Sequence, residues 1–322
     1  MAVKNCLNEK TELPSMLIPP VPPNPPEAPQ RDRLRLGFGA AALGALTSLL
    51  QACSPVNLVN VTSMGGAGDR RTGLSYGPLA RHQLDLYLPS GPVPKNGWPT
   101  VLFIFGGTWN RGNRADYRFV GEALASEGIL TVIADYRLYP EVRWPDFLHD
   151  CALALRWVFD QARTNGLPID PAKTYLMGHS AGAYNVAMLA LDPRWLAPHG
   201  LVPSALAGWI GLAGPYDFLP VTEPDAKPVF FHPNYPSGTQ PIDLATAGAP
   251  RTFLGAARDD NLVNPMRSTV GLGNKLQAFG VPTTLKLYDR VDHFTLIGSL
   301  ARPLRWMAPV LQDVSAFVHA QV

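Results

Sequence analysis

At 322 residues the chain has room for one large α/β domain or two ordinary ones, and 46% hydrophobic against 16% charged residues let it bury a sizeable core. The formal net charge is only +2, with Lys and Arg scattered rather than gathered in a stripe, which argues against a nucleic-acid partner. The three cysteines, Cys6, Cys53 and Cys151, stand far apart in dissimilar contexts and support neither a zinc site nor a disulfide framework.

Residues 1–30 read as a disordered leader, because eight of them are proline and proline cannot occupy a helix interior. Residues 31–53 read as an export signal: Arg31, Arg33 and Arg35 precede the uncharged run Leu36–Leu50. The run ends in Leu50-Gln51-Ala52-Cys53, which resembles the lipobox of bacterial lipoproteins, with Gln51 departing from its usual second residue. That resemblance implies lipidation of Cys53 and a mature chain tethered to a membrane on the periplasmic side; a periplasmic or secreted form and an inner-membrane anchor are the alternatives. Residues 54–75 then form a linker.

From Tyr76 to the C-terminus, strand and helix signals alternate in one expected domain, 76–322. The alternating stretch Gln83–Leu88 predicts a half-exposed strand, and the apolar runs Thr100–Phe105 and Ile129–Ala134 predict buried parallel ones. Helical spacing covers Asp116–Gly128 and, from Pro145 in a first turn, the stretch towards Gly166. Lys173–Met177 is a core strand followed at once by a helix over Ala181–Leu191. Further strands are predicted at Ala205–Leu212, Thr252–Ala256 and Thr283–Tyr288, with helices at Met266–Phe279 and Leu304–Val318. This alternation gives a mostly parallel sheet covered by helices on both faces. The stretch 214–250 breaks the rhythm with proline and aromatics, as a lid, a pocket wall or a solvated loop.

Gly178-His179-Ser180-Ala181-Gly182 matches G-x-S-x-G, a weak pattern until a strand stands before it and a helix after it, as here. Such a tight turn exposes the Ser180 hydroxyl as a candidate nucleophile, with the free N–H of Ala181 available to a developing oxyanion. In this arrangement the acid and then the histidine follow the serine along the chain. His293, after the strand ending at Tyr288, is the candidate base, on a loop, with His232 its one rival; His199 and His319 read as surface residues. Asp259 and Asp260 are not separated by spacing alone; Asp260 is favoured as the acid because its place before Val263 and Pro265 resembles that of the acid in many hydrolases with such a turn. Gly106-Gly107-Thr108-Trp109 follows a buried strand, where Gly107 and Thr108 are candidate oxyanion donors. Cys151, in an apolar helical run, reads as a buried thiol.

Taken together, Leu84–Pro89, Gly106-Gly107-Thr-Trp109, Asp135–Glu141, Pro145–Asp150, Gly178–Gly182, Asp260 and His293 resemble the esterase/lipase group of α/β-hydrolases, including its kynurenine-formamidase-like branch. The resemblance implies an α/β-hydrolase fold with a short cap insertion and hydrolysis of a small-molecule carboxylic ester of small to medium acyl chain, with no cofactor or metal. An amidase or arylformamidase using the same residues is the alternative, and a non-catalytic binding protein on the same scaffold a remoter one. Where the family has His-Gly-Gly, this chain has Phe105-Gly-Gly, so support of the oxyanion loop must differ. Arg137 and Asp150 read as a structural ion pair. The oligomeric state is not legible.

Overall fold

The computed structural model describes residues 59, 60 and 62–320; the leader, the signal-like segment and Cys53 lie outside the described residues. Eight strands make one sheet: β1 (Asp69–Ser75), β2 (Gln83–Leu88), β3 (Trp98–Ile104), β4 (Leu130–Ala134), β5 (Ile169–His179), β6 (Gly208–Leu212), β7 (Thr252–Ala257) and β8 (Thr283–Tyr288). Their order is β1-β2-β4-β3-β5-β6-β7-β8. β2 runs antiparallel to both neighbours, whereas β4, β3 and β5 to β8 are parallel. The alternation of elements predicts this mostly parallel sheet, and the order is that of the α/β-hydrolase fold implied by the resemblance.

Burial explains why the central strands read as continuous apolar runs. Every residue of β4, β6 and β7 is buried, so both faces of the sheet are covered and neither can alternate. The edge strands differ. β8 alternates and sends Lys286 outward, which guards an open edge.

The sheet starts earlier than expected. Asp69–Ser75, assigned to the linker, is β1, so the domain begins before residue 76. Its side chains are almost all exposed, and it is held by its ladder to β2 rather than by an apolar face, so no alternation marks it. Its register shifts between Arg71 and Leu74, where Gly73 takes φ 70° and donates its N–H to Asp85 at 2.9 Å.

The helices are α1 (Arg118–Ser126), α2 (Asp146–Arg163), α3 (Ala181–Leu191), α4 (Gly271–Ala278), α5 (His293–Gly298) and α6 (Val310–His319). α3 is buried at every position; it packs on β5 and β6 and against α2, while α1 packs beside α6. Two predicted helices are interrupted. Met266–Val270 is a π-helical turn closed by the Val270 N–H on the Pro265 carbonyl, and only then does α4 begin. The stretch 304–318 becomes a 3₁₀ turn at Arg302–Leu304 and, after Pro309, α6. The insertion over 214–250 carries one short 3₁₀ turn, Pro241–Leu244. It is not a solvated loop. Phe218 and Phe230 of the insertion stack edge-on with Tyr184 of α3, and Phe230 meets Trp109 at 4.8 Å between ring centres.

Candidate active site

Ser180 stands at the sharp turn between β5 and α3. Its backbone takes φ 53° and ψ −122°, a conformation costing on the order of 1–3 kcal/mol for a residue with a side chain. The turn is possible because its flanks are glycines. A side chain at Gly182 would collide with the Ile104 carbonyl, and one at Gly178 with the Gly182 carbonyl. Strand, turn and helix therefore pack backbone to backbone, and the half-buried Ser180 hydroxyl is lifted off the sheet's C-terminal edge.

Two other segments at that edge deliver the predicted partners, the loop after β7 and the start of α5. The Ser180 Oγ lies 2.8 Å from His293 Nε2, and His293 Nδ1 lies 2.7 Å from Asp260 Oδ2. Asp260 is buried after β7, its second oxygen accepting the N–H groups of Leu262 (2.9 Å) and Val263 (3.0 Å). Burial alone pushes this carboxyl up. The hydrogen bond and charge of His293, with the two amides, outweigh it and hold the group below the usual carboxylate range. Asp259 is exposed and reaches neither histidine nor serine. His293 is not on a loop as expected but is the first residue of α5. Asp292 caps that helix through the amides of Phe294 and Thr295, and so fixes where the imidazole starts. The rival His232 is exposed and pairs with Tyr235, while His319 bonds the Glu127 carbonyl at the surface.

The glycine loop after β3 closes the other side. Gly107, Thr108 and Trp109 all have positive φ (129°, 54° and 57°). Gly106 comes so near that a Cβ on it would stand 2.9 Å from the Ser180 Cβ. The N–H groups of Gly107, Thr108 and Ala181 donate to no acceptor among the described residues, and all three residues line the cavity with Ser180. Phe105, standing where the family has histidine, is fully buried. It stacks on Tyr136 at 4.7 Å and Tyr117 at 5.7 Å, and its carbonyl accepts the Tyr136 hydroxyl at 3.0 Å.

Two residues here escaped sequence reasoning. Asn185, inside the apolar helix α3, accepts the Trp109 Nε1–H at 2.9 Å and so ties the glycine loop to the serine's helix. A lone amide in such a run was the available signal. His179, the variable residue of the pentapeptide, is buried with its Nε2 2.9 Å from the His293 carbonyl. Nothing in its spacing announced it. Burial pushes its pKa down to about 3, helped by the charge of His293.

The cavity above Ser180 holds about 730 Å³. Tyr117 and Phe119 form one wall, while Phe218, Val221 and Ala226 of the insertion form another. Away from it, Arg137 and Asp150 pair as expected (2.7 Å), and Cys151 is a buried free thiol. Among the described residues no cluster of His, Cys, Asp and Glu is grouped as metal ligands.

Known proteins resemble the chain in both sequence and architecture. Residues 84–198 match the BD-FAE family model. An isoprenylcysteine alpha-carbonyl methylesterase of Arabidopsis thaliana is 28% identical over 273 residues, 78% of this chain and 62% of that protein. The esterase LipC of Mycobacterium tuberculosis is 28% identical over 227 residues, 65% of this chain and 55% of that protein. The chain thus spans less than two thirds of the length of these relatives. Among solved structures, the thermostable carboxylesterase EstE1 from a metagenomic library superposes with a TM-score of 0.65 at 17% identity, over 88% of this chain and all of that one. Relatives in sequence and neighbours in fold agree: the chain is similar to these esterases over part of its sequence and shares the α/β-hydrolase fold of the solved carboxylesterases.

Proposed function

We propose that the chain is a serine hydrolase that cleaves carboxylic esters of small to medium acyl chain through an acyl-enzyme on Ser180. The observation that carries this reading is the unbroken line from Asp260 through His293 to Ser180, at 2.7 and 2.8 Å, opening into a largely apolar cavity. His293 takes the Ser180 proton as Oγ attacks the ester carbonyl, and Asp260 holds the imidazole in the tautomer that can accept it. The amides of Gly107, Thr108 and Ala181 receive the oxyanion, each such donor lowering the barrier by about 3 kcal/mol. His293 then protonates the leaving alcohol, and water repeats the sequence on the acyl-enzyme. Turnover of p-nitrophenyl butyrate beside Ser180→Ala is the test. Wild-type activity that vanishes in the variant is expected; equal activity in both, or inertness of both towards esters and a fluorophosphonate, refutes the reading. Preference for anilides or formamides over esters in the same panel would make the chain an amidase instead.

The same proposal extends to location. Export, lipidation of Cys53 and a tether on the periplasmic side rest on the basic, apolar and lipobox-like order of residues 31–53. Among the described residues no helix is long and apolar enough to cross a membrane. A dominant unmodified peptide spanning Leu50 to Ser54 in the native protein, seen by mass spectrometry, refutes the tether.

A further inference from the structure

The first described residues sit on the wall of the cavity. Val59 lines it, and Asn60 is clamped beside it. The Asn60 side-chain amide donates to the Ala115 and Asp116 carbonyls (3.0 and 3.2 Å), and its oxygen accepts the Phe119 N–H at the start of α1 (3.0 Å). Asn60 is 9% exposed, so this is a fixed exit point rather than a loose end. Cys53 lies six residues before Val59. Six residues reach at most about 20 Å when fully extended.

Elsewhere the lining carries exposed apolar side chains. Leu262 and Phe294 both line the cavity, yet they are 54% and 66% exposed. Each neighbours a residue of the reactive line: Leu262 stands two after Asp260, and Phe294 follows His293. Of the charges near the same cavity, the exposed Arg111 pairs with the half-exposed Asp225 at 3.3 Å, and the exposed Glu223 also belongs to the lining. Apolar groups beside a mouth, with a membrane tether leaving its wall, fit an apolar surface better than open water.

We infer that the cavity mouth works against the bilayer surface and draws its ester from the membrane, on a short tether. This deepens the ester-hydrolase proposal and rests on it and on the Cys53 tether. A chain lipidated at Cys53 keeps Val59, in the cavity lining, within about 20 Å of the lipid headgroups. An ester lodged in the bilayer then meets Ser180 at a high effective concentration that a soluble ester does not share.

The experiment uses the full chain reconstituted in phosphatidylethanolamine/phosphatidylglycerol vesicles, beside Cys53→Ala and a chain with 30 Gly/Ser residues inserted after Ser54. p-Nitrophenyl laurate is the bilayer ester and p-nitrophenyl butyrate the soluble one; eight added methylenes favour the bilayer by about five orders of magnitude. All three proteins should hydrolyse the butyrate within about twofold of one another, since neither change touches the site. On the laurate, wild type should exceed Cys53→Ala by at least about tenfold. The long-linker chain should float with the vesicles yet lose most of that gain, because effective concentration falls roughly as the −3/2 power of linker length. Equal laurate rates for wild type and Cys53→Ala, or for wild type and the long-linker chain, overturn the inference alone. Wild type that does not float with vesicles overturns the tether and the inference with it. Absence of butyrate turnover in all three overturns the ester reading and everything built on it. A stable dimer of Cys53→Ala in sedimentation that is broken by Phe294→Asp would assign the rim to a second copy of the chain, and so overturn the bilayer as its occupant.

Discussion

The imidazole of His179 and the backbone carbonyl of His293 are hydrogen-bonded at 2.9 Å, which joins the residue before the serine to the residue that serves it. A carbonyl can only accept, so the His179 Nε2 carries the proton and Nδ1 is a bare lone pair. That lone pair has no donor among the described residues and lies beside Gly106 of the glycine loop. A proton there would meet the repulsion of the charge that His293 takes up as base, its ring centre 5.0 Å away. Burial and that repulsion together keep His179 neutral.

The pH dependence of stability follows from this. The unfolded chain binds a proton at His179 below its ordinary value of 6.5, whereas the folded chain binds one only near 3. Between those limits the unfolded state holds more protons, so stability falls as the pH falls, by roughly 1 kcal/mol per pH unit from this group alone. Above 6.5 the contribution is fully present. Urea unfolding of His179→Leu should therefore show a flatter decline between pH 6.5 and 4 than wild type; an equally steep one removes His179 as its cause. The variant also removes the hydrogen bond from His179 to the His293 carbonyl. Its kcat for p-nitrophenyl butyrate should drop about tenfold with KM within about twofold, the signature of a displaced base rather than a weakened pocket.

Asp260 and Asp259 are adjacent in sequence and opposite in circumstance. One is buried with three hydrogen bonds, the other exposed. Asp260→Asn keeps the shape but removes the charge that favours the correct His293 tautomer. Its kcat/KM should fall by about 10³ to 10⁴, while Asp259→Asn stays within about twofold of wild type. Losses of similar size in both would mean that the acidic pair acts as one local field and that the 2.7 Å contact carries no special part.

How much of this the sequence carried depends on what holds each element. β4 and β7 were legible because strands buried on both faces must be apolar throughout, and the turn at Ser180 because its glycines are demanded by backbone collisions. β1 was not legible, since an edge strand held by its ladder needs no apolar pattern. The start of α5 at His293 was missed because its signal is a single capping pair, Asp292 and Thr295, in a stretch too short for helical periodicity. The candidates Ser180, Asp260 and His293 could be ordered along the chain, but which of two neighbouring aspartates faces inward is set by how the loop after β7 folds. The part played by His179 depends on a contact 114 residues away in the sequence, and no local pattern encodes such a contact.

The Asn185 amide is the hinge between the glycine loop and α3. Asn185→Leu removes the acceptor of the buried Trp109 N–H, leaving it unsatisfied, and costs about 1–3 kcal/mol in urea unfolding. Its other contact, to the Cys151 Sγ at 3.7 Å, is weak and contributes little. Because Trp109 ends the run of positive-φ residues that presents the Gly107 and Thr108 amides, kcat should fall about tenfold as well. A variant destabilised to this extent but with wild-type kcat would show that the loop holds its shape through Phe105 and Phe230 alone.

Ala226 offers a way to learn which wall receives the acyl chain. It lines the cavity from the insertion, as Val221 and Phe218 do, whereas Tyr117 and Phe119 come from the start of α1, and its methyl group is small beside the 730 Å³ of the cavity. Ala226→Trp would fill that side with an indole while leaving the Ser180–His293–Asp260 line untouched. If the acyl chain lies against the insertion, kcat/KM for p-nitrophenyl octanoate should fall by at least about tenfold, and that for the butyrate by no more than about threefold, since a filled pocket excludes the longer chain first. Unchanged octanoate kinetics would move the acyl chain to the Tyr117 and Phe119 wall. The leaving alcohol would then face the insertion, and a series of alcohols of increasing size on a common butyryl group would lose turnover in Ala226→Trp instead.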